Sequence, residues 1–286
     1  MGSILWLASY PKSGNTWMRA LLTNYQRDAD TPADINALKG GPIASSRDLF
    51  DEMIGFEASE LTDKQIAQLR PVAYRRLAAQ MDEASFLKVH DAWTVGPTGE
   101  PLFPADVTAG VIYIVRNPLD VAISAASHWG VSIEQAVRNL CNPDYALARS
   151  LHGLDDQLPQ RLLSWGEHAR SWVELSGLPL HIVRYEDLQK TPAATFAGVV
   201  AFAGWPLDEA RIAKAVAFSD FEQLRQQEEA RGFRERPLDA ERFFRQGKSD
   251  GWLDLLTTYQ ISRIIAVNRA MMQRFGYLNQ DNQPLT

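Results

Sequence analysis

The chain has 286 residues, 45% of them hydrophobic, with a formal net charge of −6 and one cysteine. That length and apolar share suit one α/β domain or two small fused ones and argue against disorder; the acidic balance argues against a broad nucleic-acid-binding surface. Cys141 by itself excludes an internal disulfide and a cysteine-based zinc cluster, and a lone cysteine is ordinarily a small buried apolar residue.

The opening MGSILWLASYPKSG lacks a basic n-region and a signal-length apolar run, and no stretch approaches the roughly 18 residues of a membrane helix. The expectation is a soluble, cytoplasmic protein with no membrane partner. Ile4–Ser9 is short and apolar and runs into Pro11 and Gly14, which predicts a buried strand ending in a tight loop. Trp17, Ala20, Leu21 and Leu22 recur at helical spacing, so a helix is expected over about residues 15–25. Residues 28–50 read as loop or short helix, and 61–81 as helix with a break near Pro71. Phe86–His90 is a short strand, Val111–Val115 a buried one, and 119–128 a helix; 130–160 shows no strong periodicity. A helix at 162–175, a strand at 181–185 and helices at 193–203, 208–217 and 259–275 follow, with a charge-dense stretch at 224–245. Strands alternating with helices predict an α/β fold: a single domain over 1–286 with a central, mostly parallel sheet flanked by helices.

Tyr10-Pro-Lys-Ser-Gly-Asn-Thr-Trp17 lies between a strand and a helix. A loop there aims backbone N–H groups at whatever sits over the helix N-terminus, where the dipole favours an anion. Lys12 adds a charge, Ser13 and Thr16 add hydroxyls, and Gly14 allows close approach. The bland alternative is an ordinary turn with a surface lysine; it weakens because all these groups meet at one strand end. The nucleotide P-loop G-x-x-x-x-G-K-[ST] does not match, since the lysine here precedes the glycine. A second candidate anion site is Arg116-Asn-Pro-Leu-Asp-Val-Ala-Ile-Ser124, after the VIYIV strand. Asn117, Pro118 and Asp120 also read as a helix cap, but capping requires neither Arg116 nor Ser124.

Tyr-Pro-Lys-Ser-Gly-Asn-Thr-Trp resembles the phosphosulfate loop of the sulfotransferases that use 3′-phosphoadenosine 5′-phosphosulfate (PAPS) and release adenosine 3′,5′-bisphosphate (PAP). The opening segment is most similar to bacterial members that sulfate glycopeptide antibiotics. The resemblance implies a P-loop-like site after the first strand, in which Lys12, Ser13, Gly14, Asn15 and Thr16 bind the phosphosulfate and Trp17 stacks on adenine. Asn15 stands where many animal members carry threonine. The family's R-x-P-x-D-x-x-x-S motif for the 3′-phosphate is matched at Arg116, Pro118, Asp120 and Ser124. Lys-x-His at Lys88 and His90 implies a general base, His90, with Lys88 near the transferring group; His128, His152, His168 and His181 are given no role. Tyr185, Ser219 and Phe221 match adenine contacts. Arg245 and Gly247 match a C-terminal clamp that binds the 3′-phosphate; Gln246, assigned to the same clamp, replaces its usual lysine, and Lys248 is a candidate substitute.

The implied activity is sulfuryl transfer from PAPS to a hydroxyl, less readily an amine, of a small-molecule acceptor. It proceeds by in-line displacement, needs no metal, and leaves Ser124 holding Lys12 back until an acceptor arrives. A nucleotide kinase and a non-catalytic nucleotide-binding module are the rival readings. The first lacks a Walker lysine; the second has no need of Lys88 and His90. Residues 224–245, poor in apolar side chains and lying between Phe221 and Arg245, are expected to form a mobile lid. The dimerisation motif of animal members is not recognisable, so the oligomeric state is left open.

Overall fold

The computed structural model describes residues 2–149, 154–237, 240–245 and 247–285. In chain order its strands are β1 (Ile4–Ser9), β2 (Ser85–Val89), β3 (Thr108–Val115), β4 (Ala146–Leu147), β5 (Gln160–Arg161) and β6 (Leu180–Arg184). Its helices are α1 (Asn15–Arg27), α2 (Arg47–Ile54), α3 (Asp63–Ala79), α4 (Pro118–Trp129), α5 (Ile133–Leu140), α6 (Trp165–Arg170), α7 (Tyr185–Lys190), α8 (Pro192–Phe202), α9 (Glu209–Phe218), α10 (Phe221–Arg231), α11 (Trp252–Leu255) and α12 (Thr258–Arg274). The main sheet has the order β2-β1-β3-β6, and β1 pairs with β2 in parallel, Ile4 opposite Ser85 through Ala8 opposite Val89. This is the α/β class, a mostly parallel sheet flanked by helices. Every residue of β1 is buried, as its unbroken apolar run requires.

The chain divides into two compact units, each assembled from separated segments. The first comprises residues 1–10, 40–113 and 142–182, and so holds β1, β2 and all but the last two residues of β3 and β6. Its aromatic core is Trp6, Tyr74, Phe103 and Trp172, with Trp6 edge-on to Phe103 at 4.9 Å and Trp172 4.8 Å from Phe103. The second comprises residues 11–39, 114–141 and 183–286. There Tyr25 stacks on Trp205 and meets Phe196 edge-on, joining α1 to α8 and the turn after it.

Several elements differ from the sequence expectation. Helix α3 runs through Pro71 without a break. A capping box of Thr62 and Gln65 starts it, and Arg70, beside the proline, is pinned by both oxygens of Asp91 at 2.8 Å, so tertiary anchoring outweighs the lost helical N–H. The helix expected over 162–175 is narrower, starting at the Ser164–Glu167 capping box, and passes at Ser171–Leu175 into a π-helical turn. β6 stops at Arg184, and Tyr185, expected at a strand end, opens α7. The stretch at 130–160, without strong periodicity, holds α5, capped by Ser132, and α2, capped by Ser46, begins at the end of the stretch read as loop or short helix and runs beyond it.

Candidate functional site

In the second unit the loop after β1 turns sharply: Lys12 has φ 70° and Gly14 φ 105°. A Cβ on Gly14 would lie 2.8 Å from the Tyr185 ring, so glycine is required both by the backbone and by the aromatic packed on it. Gly14 is the N-cap of α1 and, lacking a side chain, leaves the first-turn N–H groups without a side-chain cap; no acidic residue occupies that turn. Ser13, Asn15 and Thr16 are buried, and the Ser13 hydroxyl has no hydrogen-bond partner among the described residues. Trp17 meets Tyr185 edge-on at 5.5 Å. Burial raises the Tyr185 phenol above its ordinary pKa, against the lowering effect of Arg116.

Arg116 leaves the end of β3 and lies over the Tyr185 ring, its Cζ 4.4 Å from the centroid. One terminal nitrogen donates to the Lys12 carbonyl at 3.2 Å and the other to the Lys248 carbonyl at 2.9 Å. Its Nε is buried with no partner among the described residues. The capping reading of the same motif also holds: the Asn117 side chain accepts from Leu119 N–H, and Pro118 is the first residue of α4. Asp120 accepts from Asp250 N–H at 2.9 Å, and burial raises its carboxyl pKa against the opposing pull of Arg116. Ser124 is half-buried on α4, one helical turn before His128.

Lys12 Nζ lies 3.2 Å from His128 Nδ1 and 4.1 Å from the centroid of Phe243. Neither neighbour was assigned from sequence. His128 sits four residues beyond Ser124 on the same helical face, a spacing that could have flagged it. Phe221 opens α10 and packs against Gly247, whose positive φ of 59° and close approach to that ring both demand glycine. Ser219 is fully buried and its hydroxyl accepts from Asn24 at 3.0 Å. Arg245 is exposed, and Gln246 lies outside the described residues. The Gly247 carbonyl accepts from Gln189.

Residues 224–245 carry more apolar anchoring than their composition suggests. Leu224, Phe233 and Phe244 are buried in one cluster with Ala20, Ala33, Ile35 and Leu38. The buried Glu228 carboxylate accepts from Phe243 N–H at 2.8 Å and from Phe244 N–H at 2.9 Å.

In the first unit, Lys88 and His90 are both half-buried, and His90 lies one residue beyond the end of β2. His90 Nδ1 is 2.9 Å from the Ser9 carbonyl. A carbonyl can only accept, so Nδ1 carries the proton and the neutral ring has its basic lone pair on Nε2. The backbone after His90 is met by His168, Ser171 and Trp172, none of which was assigned from sequence. Among the described residues no cluster of three or more His, Cys, Asp or Glu could hold a metal ion, and no helix is long and apolar enough to cross a membrane.

These sites can be set beside known proteins. The family described as "Sulfotransferase domain" matches residues 3–276. Sulfotransferase 2B1 of Homo sapiens is 24% identical over 285 residues, covering 98% of this chain and 69% of that protein. Sulfotransferase 2A6 of Rattus norvegicus is 24% identical over 273 residues, 94% of this chain and 84% of that protein. Among solved structures, a retinol dehydratase in complex with androsterone and inactive cofactor PAP aligns with a TM-score of 0.60 at 19% identity, over 94% of this chain and 80% of that one. A mouse sulfotransferase complexed with PAP gives 0.59 at 17% identity, over 95% and 88%. At these identities the structures establish a shared fold.

Proposed function

Because the chain belongs to the sulfotransferase-domain family, we propose that it transfers a sulfuryl group from PAPS to a hydroxyl, less readily an amine, of a small-molecule acceptor, releasing PAP. The observation that carries this reading is a pair of buried donors without partners among the described residues, Ser13 Oγ and Arg116 Nε, near a helix N-terminus with no side-chain cap. Buried donors are almost always satisfied, and an anionic ligand would satisfy these. The residues present therefore fit a nucleotide with two anionic groups. Lys12, Ser13, Gly14, Asn15 and Thr16 would hold its phosphosulfate; Arg116, Ser124, Arg245, Gln246 and Gly247 its 3′-phosphate; Trp17, Tyr185, Ser219 and Phe221 its adenine.

His90 is the general base. Its Nδ1 bears the proton facing the Ser9 carbonyl, and Nε2, the nitrogen with the basic lone pair, takes the acceptor's proton as the acceptor oxygen bonds to sulfur and the bond from sulfur to the 5′-phosphate oxygen breaks. Lys12 and Lys88 stabilise charge on the leaving and sulfuryl oxygens. Residues 224–245 act as the lid over the donor, tied at Phe221 and at Arg245. The cytoplasm is the proposed location, as PAPS-dependent small-molecule sulfation requires no membrane.

Calorimetry with PAP, AMP and ATP, and mass spectrometry of products from alcohols, phenols, androsterone, retinol and a glycopeptide, test the reading. PAP is expected to bind most tightly, and at least one hydroxyl acceptor to gain a sulfate. ATP binding as tight as PAP binding would favour the kinase reading instead. The glycopeptide is included because the opening loop resembles that of glycopeptide sulfotransferases, and androsterone and retinol because neighbours of this fold bind them.

A further inference from the structure

Four backbone polar groups of the four residues that follow β2 are held from elsewhere in the first unit, three of them by side chains. The His90 carbonyl is 3.0 Å from His168 Nε2, and the Asp91 carbonyl accepts from Trp172 Nε1 at 3.0 Å. Ala92 N–H donates to the Arg161 carbonyl at 2.8 Å, and Trp93 N–H to Ser171 Oγ at 3.0 Å. His168, Ser171 and Trp172 come from the end of α6 and the π-helical turn that continues it. A π turn is wider than an α turn, and such turns recur where a protein must aim side chains at one place.

The proton positions follow from chemistry. A carbonyl accepts only, so His168 Nε2 carries a hydrogen and donates it to the His90 carbonyl. Complete burial pushes the His168 pKa down to about 4, so the ring is neutral and Nδ1 holds a lone pair. Nδ1 lies 2.9 Å from the hydroxyl of the equally buried Tyr113, which must then be the donor. Tyr10 packs edge-on against the same ring at 5.4 Å, and Tyr10 follows Ser9, the residue whose carbonyl takes the His90 Nδ1 proton. His90 is thus fixed at both ends, the ring by Ser9 and the backbone by His168. A leucine or phenylalanine at position 168 would fill the space without the cost of desolvating an imidazole and a phenol. Packing therefore does not account for this pair.

We propose that His168 and Tyr113 are positioning residues for catalysis, a relay of two buried hydrogen bonds that holds the turn carrying the base. The proposal rests on the reading of His90 as that base. Holding a catalytic group within a fraction of an ångström matters because about 1 Å of misplacement costs on the order of a hundredfold in rate.

The test compares H168L, H168Q, Y113F, H90A and the double variant H90A/H168L. It measures kcat at saturating PAPS on acceptors from an aliphatic alcohol to an acidic phenol, and PAP affinity by calorimetry. H168L is expected to lower kcat on the alcohol about ten- to a hundredfold, to lower it far less on the acidic phenol, and to leave PAP affinity unchanged. H168Q, whose amide nitrogen can still donate to the His90 carbonyl, is expected to recover most of the rate. Added to H90A, H168L is expected to cost nothing more, because it acts through a base already removed.

Wild-type kcat on the alcohol in H168L while H90A is slow, or losses that multiply in the double variant, would overturn the inference and leave the base reading intact. Normal kcat in H90A on the alcohol would overturn the base reading and the inference with it. If H168L does not fold, Y113F, which loses one oxygen, carries the test: an equal effect on alcohol and acidic phenol would overturn the inference there too.

Discussion

Two backbone segments that follow strands carry the proposed chemistry, and they are stabilised in opposite ways. The loop after β1 is shaped locally. Left-handed Lys12 and Gly14 set its path, and the helix it opens supplies the N–H groups. The turn after β2 is held from afar, by His168, Ser171 and Trp172 about 80 residues on in the chain and by Arg70 some 20 residues back. In the proposed function the first segment would bind by presenting donors to the ligand, and the second would hold a base through backbone groups already bonded from elsewhere. A segment of the first kind is written as a contiguous motif, and one of the second kind is not.

The comparison is broken most sharply at His90. If the turn after β2 exists to hold a base, His90→Ala should lower turnover on a weakly acidic alcohol by roughly two to four orders of magnitude, with PAP affinity little changed. Near-normal turnover would make that turn a structural feature only. Stopped-flow or steady-state assays on the alcohol decide it, since an acidic phenol needs less help from a base.

The next effect is on stability and its pH dependence. His168 has its pKa pushed down to about 4 from the ordinary 6.5 by burial, with the His90 carbonyl opposing part of that shift. Folding therefore favours neutral His168. Its contribution is complete above about pH 6.5 and is lost progressively as the pH falls toward 4, because the unfolded chain takes up a proton that the folded chain refuses. The shift corresponds to about 3 kcal/mol across that window. Urea unfolding at intervals from pH 7 to 4 should show the wild type losing that much relative to H168Q. Parallel curves for the two proteins would mean that His168 is not held neutral.

At the proposed phosphate site the expected effect is about ten- to a hundredfold in affinity. Arg116→Ala should weaken PAP much more than adenosine 5′-phosphosulfate, which lacks the 3′-phosphate, since a charge-assisted contact contributes roughly 1.5–3 kcal/mol. The structure sharpens this test. Arg116 already bonds the Lys12 and Lys248 carbonyls, so equal weakening of both ligands would assign it to bracing the loops rather than to reading the 3′-phosphate.

The same contrast explains what could be read from sequence. Ile4–Trp17 and Arg116–Ser124 are contiguous, and their glycine, proline and hydroxyl spacings expose both the loop and the helix cap. The sheet was legible for a similar reason: β1 and the VIYIV part of β3 are unbroken apolar runs. His168 was passed over because a lone histidine in an amphipathic helix looks structural, and its partners at positions 90 and 113 share no local pattern with it. Helix α5 was missed, and α2 read only as loop or short helix without bounds, for a different reason. Each is only eight residues long, and the serine caps with buried Phe50, Met53 and Ile54, or Ala136, Val137 and Leu140, are visible only when cap and apolar face are read together. Tyr74, Arg70 and Asp91 show how tertiary anchoring carries α3 through Pro71, a local rule overridden by a buried ion pair no window contains.

The smallest expected effect concerns residues 224–245, where local and distant stabilisation meet. Helix α10 supplies Glu228, and its buried carboxylate reaches across to the N–H groups of Phe243 and Phe244, so the descending part of the segment is tied back to the ascending helix. Charge-rich composition predicts easy opening; three phenylalanines in one cluster oppose it. Glu228→Gln replaces one of the two accepting oxygens with an amide group, which should cost about 1 kcal/mol locally. Amide exchange at Phe243 and Phe244 should then quicken about five- to tenfold in the nucleotide-free protein, while the rest of α10 changes little. If the segment is a lid tied at both ends by the donor, PAP should slow exchange at these amides in the wild type and narrow the gap to the variant. Strong protection that PAP leaves unchanged would mean that the phenylalanine cluster holds the segment closed by itself and that no lid motion accompanies donor binding.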